Sequence, residues 1–302
     1  LTVVTGVSGS GKTTTVLESL VPALQAKINK TKMPAHIAEL EADGINRVNL
    51  IDATPIGINV RSTVATYSGI LDELRKLYAQ TAEAKALNLK VNDFSYNTGS
   101  LRCPTCDGTG QISMDIQFLP DVEIICPDCG GKRYSTQANN VKIPLNGKLF
   151  AISDLMNVTA DEALVLFEKH KKIREKLKTL CDLGLGYLTL GESTPSLSGG
   201  EAQRLKLATE LGKEQSDAVF VFDEPTIGLH PQDVCVLLKV FNKLIENGAT
   251  VIVIEHDLDM IKNADYIIDM GPRGGIAGGK IVATGTPADI ANSPASITGK
   301  YL

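Results

Sequence analysis

Residues Leu1 to Val16 read LTVVTGVSGSGKTTTV, and within them Gly6-x4-Gly11-Lys12-Thr13 has the spacing of a phosphate-binding loop. The β-branched run from Thr2 to Thr5 supplies the strand that such a loop follows, and a helix-compatible stretch comes after it. Its glycines let the backbone turn tightly and bring N–H groups against phosphate oxygens. A helix starting near Lys12 adds the positive end of its dipole. Gly6, Ser8, Gly9, Ser10, Gly11, Lys12, Thr13 and Thr14 are therefore the candidate cradle for ATP. Lys12 would reach the β- and γ-phosphates, and the Thr13 hydroxyl would hold Mg²⁺. The bland alternative is a glycine-rich turn with a chance lysine, and it leaves the match at all four fixed positions to coincidence.

Three further runs can serve a bound nucleotide. The apolar run Val219-Phe220-Val221-Phe222 ends in Asp223-Glu224. A strand that ends in Asp places a carboxylate at the carboxyl edge of a sheet, where open α/β sheets bind ligands. Asp223 would bind Mg²⁺ and Glu224 would take a proton from, or orient, the attacking water. Alone this run is a weak signal; beside a phosphate-binding loop it is a strong one. Leu197-Ser198-Gly199-Gly200-Glu201 opens another helix, and Ser198, Gly199, Gly200 and Glu201 form a second candidate phosphate cradle. One nucleotide does not need two cradles, so the second is offered to another protomer's ATP; its structural alternative is an ordinary helix cap. His256 lies just past the strand that follows Asp223, where it can contact a γ-phosphate, although a lone His is more often structural.

The six cysteines fall into two groups. Cys103-x2-Cys106-x19-Cys126-x2-Cys129 has the spacing of a tetrahedral four-cysteine Zn²⁺ site. Such a closed site is structural and contributes folding free energy on the order of 10–16 kcal/mol. Between residues 99 and 135, Arg102, Lys132 and Arg133 stand against Asp107, Asp115, Asp121, Glu123 and Asp128, a balance unsuited to a finger that grips phosphates alone. Cys181 and Cys235 read as buried, inert thiols.

Composition sets wider limits. With 302 residues the chain holds one large domain or two to three ordinary ones. A net charge of −5 gives nucleic-acid binding no global support, although a local basic patch remains possible. No apolar run approaches the ~18 residues that span a bilayer. Paired cysteines without a secretory signal suit a reducing cytoplasm. The chain opens inside a strand and without a starting Met, which reads as a piece of a longer protein.

The elements that must position these residues alternate. Helical periodicity runs from Thr13 to about Ile28, and strand character from Asn46 to Ile51. A helix is predicted over 68–87, with Leu71, Leu74, Tyr78 and Ala82 on one stripe. Val141 to Phe150 reads as a hairpin turning at Asn146-Gly147. One long helix, capped by Thr159 or Asp161, is predicted to reach Cys181 and carries six cations from Lys169 to Lys178, most simply a solvated face. A helix follows Glu201, Ala218 to Phe222 is a strand, and Gln232 to Glu246 is a helix. Strands follow at Thr250–Ile254, Tyr266–Met270 and Lys280–Ala283. Alternation of this kind predicts a largely parallel α/β sheet.

Phosphate-binding loop, LSGGE run, Asp-Glu after an apolar strand and His256 together resemble the ABC-type ATPases. The separation of Lys12 from Asp223 implies an insert of ~80–100 residues, going by usual domain size, and the insert holds the cysteines. VTGVSGSGKTT, ID-x-x-PIG, RS-x-x-ATY-x-G, GGKRY, LSGGEAQRLKLATEL, DEPTIGLH, VIEHDLD and ADYIIDMGP are similar to one family, UvrA, the damage-recognition subunits of the bacterial UvrABC excinuclease. The likeness is to the second, C-terminal ATPase half or to a UvrA-like paralogue.

The resemblance implies a P-loop NTPase of the ABC type with a helical signature subdomain and an inserted four-cysteine zinc module. It implies an ATP-binding core over 1–90 and 201–302, with a signature subdomain over 91–200 and the zinc insert at about 99–135. It also implies a dimer whose composite ATP sites pair Lys12 and its loop with Ser198 to Glu201 of an opposing signature. Asp223 would then bind Mg²⁺, Glu224 the hydrolytic water and His256 the γ-phosphate. Damaged double-stranded DNA and a UvrB-type helicase subunit would be partners, in the bacterial cytoplasm and with no membrane. One departure stands out: Ala53 occupies the position where the second half of the family carries Gln, a residue that links the γ-phosphate to the signature subdomain. This puts hydrolysis or its coupling in question, and it suggests the alternative of a paralogue acting as a nucleotide-gated DNA-binding or drug-resistance module with little turnover.

Overall fold

The computed structural model describes residues 1–57, 59–114, 122–211, 215–227 and 229–302, with only the backbone at 114, 122 and 231–233. Asp115, Asp121 and Gly228, which belong to the runs read above, lie outside the described residues. Ten strands are described. They are β1 (Thr2–Gly6), β2 (Arg47–Ile51), β3 (Gln111–Met114), β4 (Val122–Ile125), β5 (Lys142–Leu145), β6 (Lys148–Ala151), β7 (Ala218–Asp223), β8 (Thr250–Ile254), β9 (Tyr266–Gly271) and β10 (Lys280–Gly285). The chain divides into two compact units, one of residues 1–54 and 210–302 and the other of residues 55–209. The sequence boundaries at 90 and 200 fall elsewhere, because the helix Ile70–Ala79 packs against the helix Lys171–Asp182 inside the second unit.

The first unit is a six-stranded sheet in the order β10-β9-β1-β8-β7-β2. All neighbours are parallel except β10, which runs antiparallel to β9. Burial on both faces explains the continuous apolar runs of β7 and β8. On one face Val4, Val219, Val221, Ile254 and Met270 pack with Val16, Val21 and Leu24 of the helical stretch that follows β1. That stretch begins as a π-helix, Thr14–Leu20, and continues as an α-helix over Val21–Asn29. Elsewhere in the unit the Phe222 ring lies 4.5 Å from that of Phe241 on the helix Pro231–Glu246.

The second unit is mainly helical and carries two hairpins, β3–β4 and β5–β6. Asn146 and Gly147 have φ of 48° and 79°, the pair of positive values that a tight hairpin turn needs. Two predicted helices are each broken in two. The stretch over 68–87 becomes Ile70–Ala79 and Ala82–Ala86, because the Thr81 hydroxyl accepts from the Ala84 N–H at 3.1 Å and starts a new helix. Ala84 is buried in place of Ala82. The helix expected from Thr159 to Cys181 becomes Ala160–Leu166 and Lys171–Asp182. Thr159 caps the first piece in a reciprocal pair with Glu162, and Phe167 then turns fully into the core, its ring 5.6 Å from that of His170. Lys171, Lys172, Arg174 and Lys178 are exposed on the second piece, while Lys176 donates to the Ser68 carbonyl at 3.0 Å. Cys181 is half-buried, but Cys235 is exposed, contrary to its apolar reading, because it lies off the face that buries Val234, Leu237, Phe241 and Leu244.

The buried Phe222 ring packs β7 against the helix Pro231–Glu246. Replacing it with Ala is expected to cost about 3–5 kcal/mol. Urea unfolding followed by circular dichroism checks this, and a loss below about 1 kcal/mol would show that the sheet and the helix Pro231–Glu246 are not packed as described.

Candidate functional site

Register brings the first set of candidates together. Val4 on β1 pairs with Ile254 on β8, and Ile254 pairs with Asp223 on β7. The carboxyl ends of three adjacent strands therefore end level, and each releases one part of the site: the loop 6–13, the pair Asp223-Glu224, and Glu255-His256.

The phosphate-binding loop is tightly built. Gly6 has φ of 136°, and a methyl group there would sit 2.0 Å from the Met270 carbonyl oxygen, so no other residue fits. Gly9 and Gly11 also have positive φ, 72° and 95°. Ser10 N–H donates to the Val7 carbonyl at 3.1 Å. Lys12 is buried, and its Nζ donates to the carbonyls of Gly6 and Val7 at 3.1 Å each. Burial lowers the Lys12 pKa from its ordinary value, while Glu224 and Asp269 pull the other way. Thr13 and Thr14 lead directly into the helical stretch.

Opposite charge is concentrated at Asp223. Burial holds its carboxyl above the ordinary range, and Glu224, Asp52 and Glu255 push it further in the same direction. A buried carboxylate with three acidic neighbours suits a divalent cation, which would neutralise the repulsion. Glu224 has φ of 45°, a left-handed conformation unusual for a side chain of its size. Its N–H donates to the Ile254 carbonyl at 3.0 Å, and this bond ties the turn to β8. His256 Nε2 stands 3.6 Å from Glu224 Oε1.

Glu255 has no role assigned from the sequence, yet it joins these parts. It is only 2% exposed. Its Oε1 accepts from the N–H and the hydroxyl of Thr226 at 2.9 and 2.5 Å. Its Oε2 accepts from the N–H groups of His256 and Asp257 at 2.6 and 3.0 Å. One carboxylate thus clamps the turn after Asp223-Glu224 to the turn bearing His256. The signal that could have found it is a Glu straight after an apolar strand, where burial demands several donors.

Ser198, Gly199, Gly200 and Glu201 lie in the second unit and open the helix Gly199–Glu210. Ser198 N–H donates to Glu201 Oε2 at 2.6 Å, and Glu201 N–H donates to the Ser198 hydroxyl at 3.3 Å, a reciprocal cap. The Tyr187 hydroxyl holds the other Glu201 oxygen. Burial opposes ionisation of Glu201, but Tyr187 and Ser198 outweigh it and hold the carboxyl below its ordinary range. The cap is formed within one chain, and Ser198 remains exposed. Ala53 is exposed, beside Asp52, whose Oδ1 accepts from the Thr54 hydroxyl at 2.6 Å.

The cysteines converge in the same unit. The four Sγ atoms of Cys103, Cys106, Cys126 and Cys129 lie within 4.8 Å of one another. Cys103 faces Cys126 at 3.9 Å and Cys106 faces Cys129 at 3.7 Å. A tetrahedral ion with metal–sulfur bonds of about 2.3 Å sets sulfurs roughly 3.8 Å apart, so the set fits zinc. Burial raises the Cys103 thiol and pushes Cys129 up to about 12. Burial opposes ionisation at Cys126 too, but the N–H groups of Cys129 and Asp128 outweigh it. Gathering all four as thiolates would require a cation among them. Cys181 is also pushed up to about 12, by burial and then by Asp161, and is correspondingly inert.

No protein-family model matches the chain. Its whole length is 50% identical to UvrABC system protein A of Staphylococcus aureus strain COL and 49% identical to that of Staphylococcus epidermidis strain ATCC 35984. Each match covers 32% of the relative, so the chain spans about a third of the length of these proteins. The crystal structure of UvrA2 from Deinococcus radiodurans superposes over 99% of the chain with a TM-score of 0.88 and 43% identity, and the match covers 36% of that structure. Across its whole length, then, the chain is similar in sequence and in fold to one segment, about a third, of the UvrA proteins.

Proposed function

We propose that this chain is the ATP-binding and ATP-hydrolysing segment of a UvrA-like protein that recognises damaged duplex DNA in nucleotide excision repair. The observation that carries the reading is the meeting of Lys12, Asp223, Glu224 and His256 at three level strand ends, in a chain that matches UvrA proteins throughout. The N–H groups of Gly9, Gly11, Thr13 and Thr14 would bind the phosphates, with Gly6, Ser8 and Ser10 shaping the cradle. Lys12 exchanges its two carbonyl partners for phosphate oxygens. Thr13 and Asp223 would hold Mg²⁺, which supplies charge neutralisation at the β- and γ-phosphates. Glu224 orients water and accepts its proton, and His256, beside Glu224, meets the γ-phosphate. Residues 198–201 complete the ATP site of an opposing copy, which makes dimerisation part of the reading. In this scheme the first unit is the ATP-binding core and the second the signature subdomain with its zinc module.

A UvrB-type helicase subunit as partner and a place in the bacterial cytoplasm belong to the same proposal. No helix among the described residues is long and apolar enough to cross a membrane. Ala53 favours a second reading, in which a paralogue uses nucleotide as a gate and turns it over slowly.

Steady-state ATPase assays of the full chain with undamaged and lesion-bearing duplex separate the two readings. Turnover that differs between the DNAs, and that Glu224→Gln abolishes while nucleotide binding persists, is the expected result. Turnover indifferent to DNA and rising on Ala53→Gln would favour the paralogue. Glu255→Gln should lower kcat by roughly tenfold to a hundredfold with KM little changed, since it loosens the clamp on His256 and Glu224. An unchanged kcat would remove Glu255 from the machinery. For the cysteines, metal analysis should return one zinc per chain, and chelation or Cys106→Ser should unfold the segment around 99–135, seen as new protease cleavage there. A metal-free protein with the same protease pattern would refute the zinc module.

A further inference from the structure

The segment between β9 and β10 reads Gly271-Pro272-Arg273-Gly274-Gly275-Ile276-Ala277-Gly278-Gly279, and no nucleotide-binding motif covers it. It lies against the phosphate-binding loop backbone to backbone. Gly275 N–H donates to the Gly9 carbonyl at 3.1 Å, and Gly279 N–H donates to the Ser10 carbonyl at 2.9 Å. The approach is close enough to exclude side chains. A methyl group at 274 would sit 2.6 Å from the Ser8 carbonyl oxygen, and one at 278 would sit 2.7 Å from the Arg273 carbonyl oxygen and 3.1 Å from Ser10 Cα. Gly274 has φ of −80° and Gly278 of −86°, values open to any residue, so close contact rather than backbone conformation selects glycine: with the neighbouring loop at 274, and with the segment's own Arg273 carbonyl and then Ser10 at 278.

A phosphate cradle works only while its N–H groups face the anion and its carbonyls face away, since an inward carbonyl repels phosphate oxygens. Four carbonyls of this loop are held by Lys12 or by the neighbouring segment, and that of Gly11 by the Thr15 N–H of the helical stretch that follows. Those of Gly6 and Val7 are held by Lys12, and those of Gly9 and Ser10 by the segment 274–279. If Lys12 turns to a nucleotide it releases its two. The bonds to Gly9 and Ser10 are independent of Lys12 and can persist through binding.

We propose that residues 272–279 are a positioning strap for the phosphate-binding loop. Their backbone N–H groups keep the Gly9 and Ser10 carbonyls turned away from the nucleotide, and affinity for ATP depends on them although they offer it no side chain. This rests on the reading of the loop 6–13 as an ATP site. The test uses the full chain, a fluorescent ATP analogue, steady-state kinetics and thermal unfolding without nucleotide. Gly248→Ala serves as control: φ there is +91°, a methyl group would meet Ser216 Cα at 3.1 Å, and the turn precedes β8, away from the strand ends that bear the site.

Gly274→Ala should weaken analogue binding and raise KM on the order of tenfold, with kcat at saturation retained. Gly248→Ala should lower the unfolding midpoint and leave both constants alone. Where Gly274→Ala does not fold, Gly278→Ala, which presses on the strap's own Arg273 carbonyl and on Ser10 Cα, is expected to show the same split. Wild-type affinity in the strap variants, or equal loss in Gly248→Ala, overturns the strap. Lys12→Ala isolates the underlying reading: if that variant binds the analogue like wild type, the ATP site itself is wrong, whereas loss in Lys12→Ala with no loss in the strap variants refutes the strap alone.

Discussion

Asp223 sits at the end of a buried strand with Asp52, Glu224 and Glu255 around it, and burial together with these neighbours keeps its carboxyl above the ordinary range. Negative charge crowded at one sheet edge is costly unless cations answer it. Lys12 supplies one, and the proposed Mg²⁺ would supply more. The parallel sheet makes the crowding unavoidable, because β1, β8 and β7 end at the same level and deliver their following residues to one place. The geometry of the proposed nucleotide site therefore also stores repulsion, which a bound cation would relieve.

Holding that arrangement falls to backbone donors more than to packing. Glu255 takes four hydrogen bonds from two turns, Glu224 is kept in a left-handed conformation by its bond to Ile254, and the loop after Gly6 has its carbonyls held from two sides. Unusual backbone such as that of Glu224 persists when the surroundings over-determine it. The cysteine cluster follows the same logic in the second unit, where β3 and β4 are closed at their base by two cysteine pairs that face each other across the hairpin.

Local structure is legible in the chain. The loop 6–13, the strand ending at Asp223 and the four cysteines are each defined by spacings of a few residues, and the structure places each on the kind of element those spacings require. What stayed hidden depended on distant partners. Glu255 meets Thr226 from 29 residues away, and the glycine at 274 is explained only by a loop some 260 residues earlier in the chain. Helix breaks at Thr81 and after Leu166 were invisible to apolar periodicity, which runs on through a new cap or a buried Phe167. Cys235 was misjudged for a related reason: residue type does not say which side of a helix meets the core.

The outer strand of the six-stranded sheet, β10, runs antiparallel to β9 and changes register between Ile281 and Ala283. An irregular edge of this kind bends away from the flat ladder that a foreign strand would need, and the exposed Lys280 adds charge beside it. Protection against unwanted strand addition is therefore built into this margin of the sheet. A second copy cannot readily zip onto β10, and the molecule resists runaway, amyloid-like association at the border nearest its phosphate-binding loop.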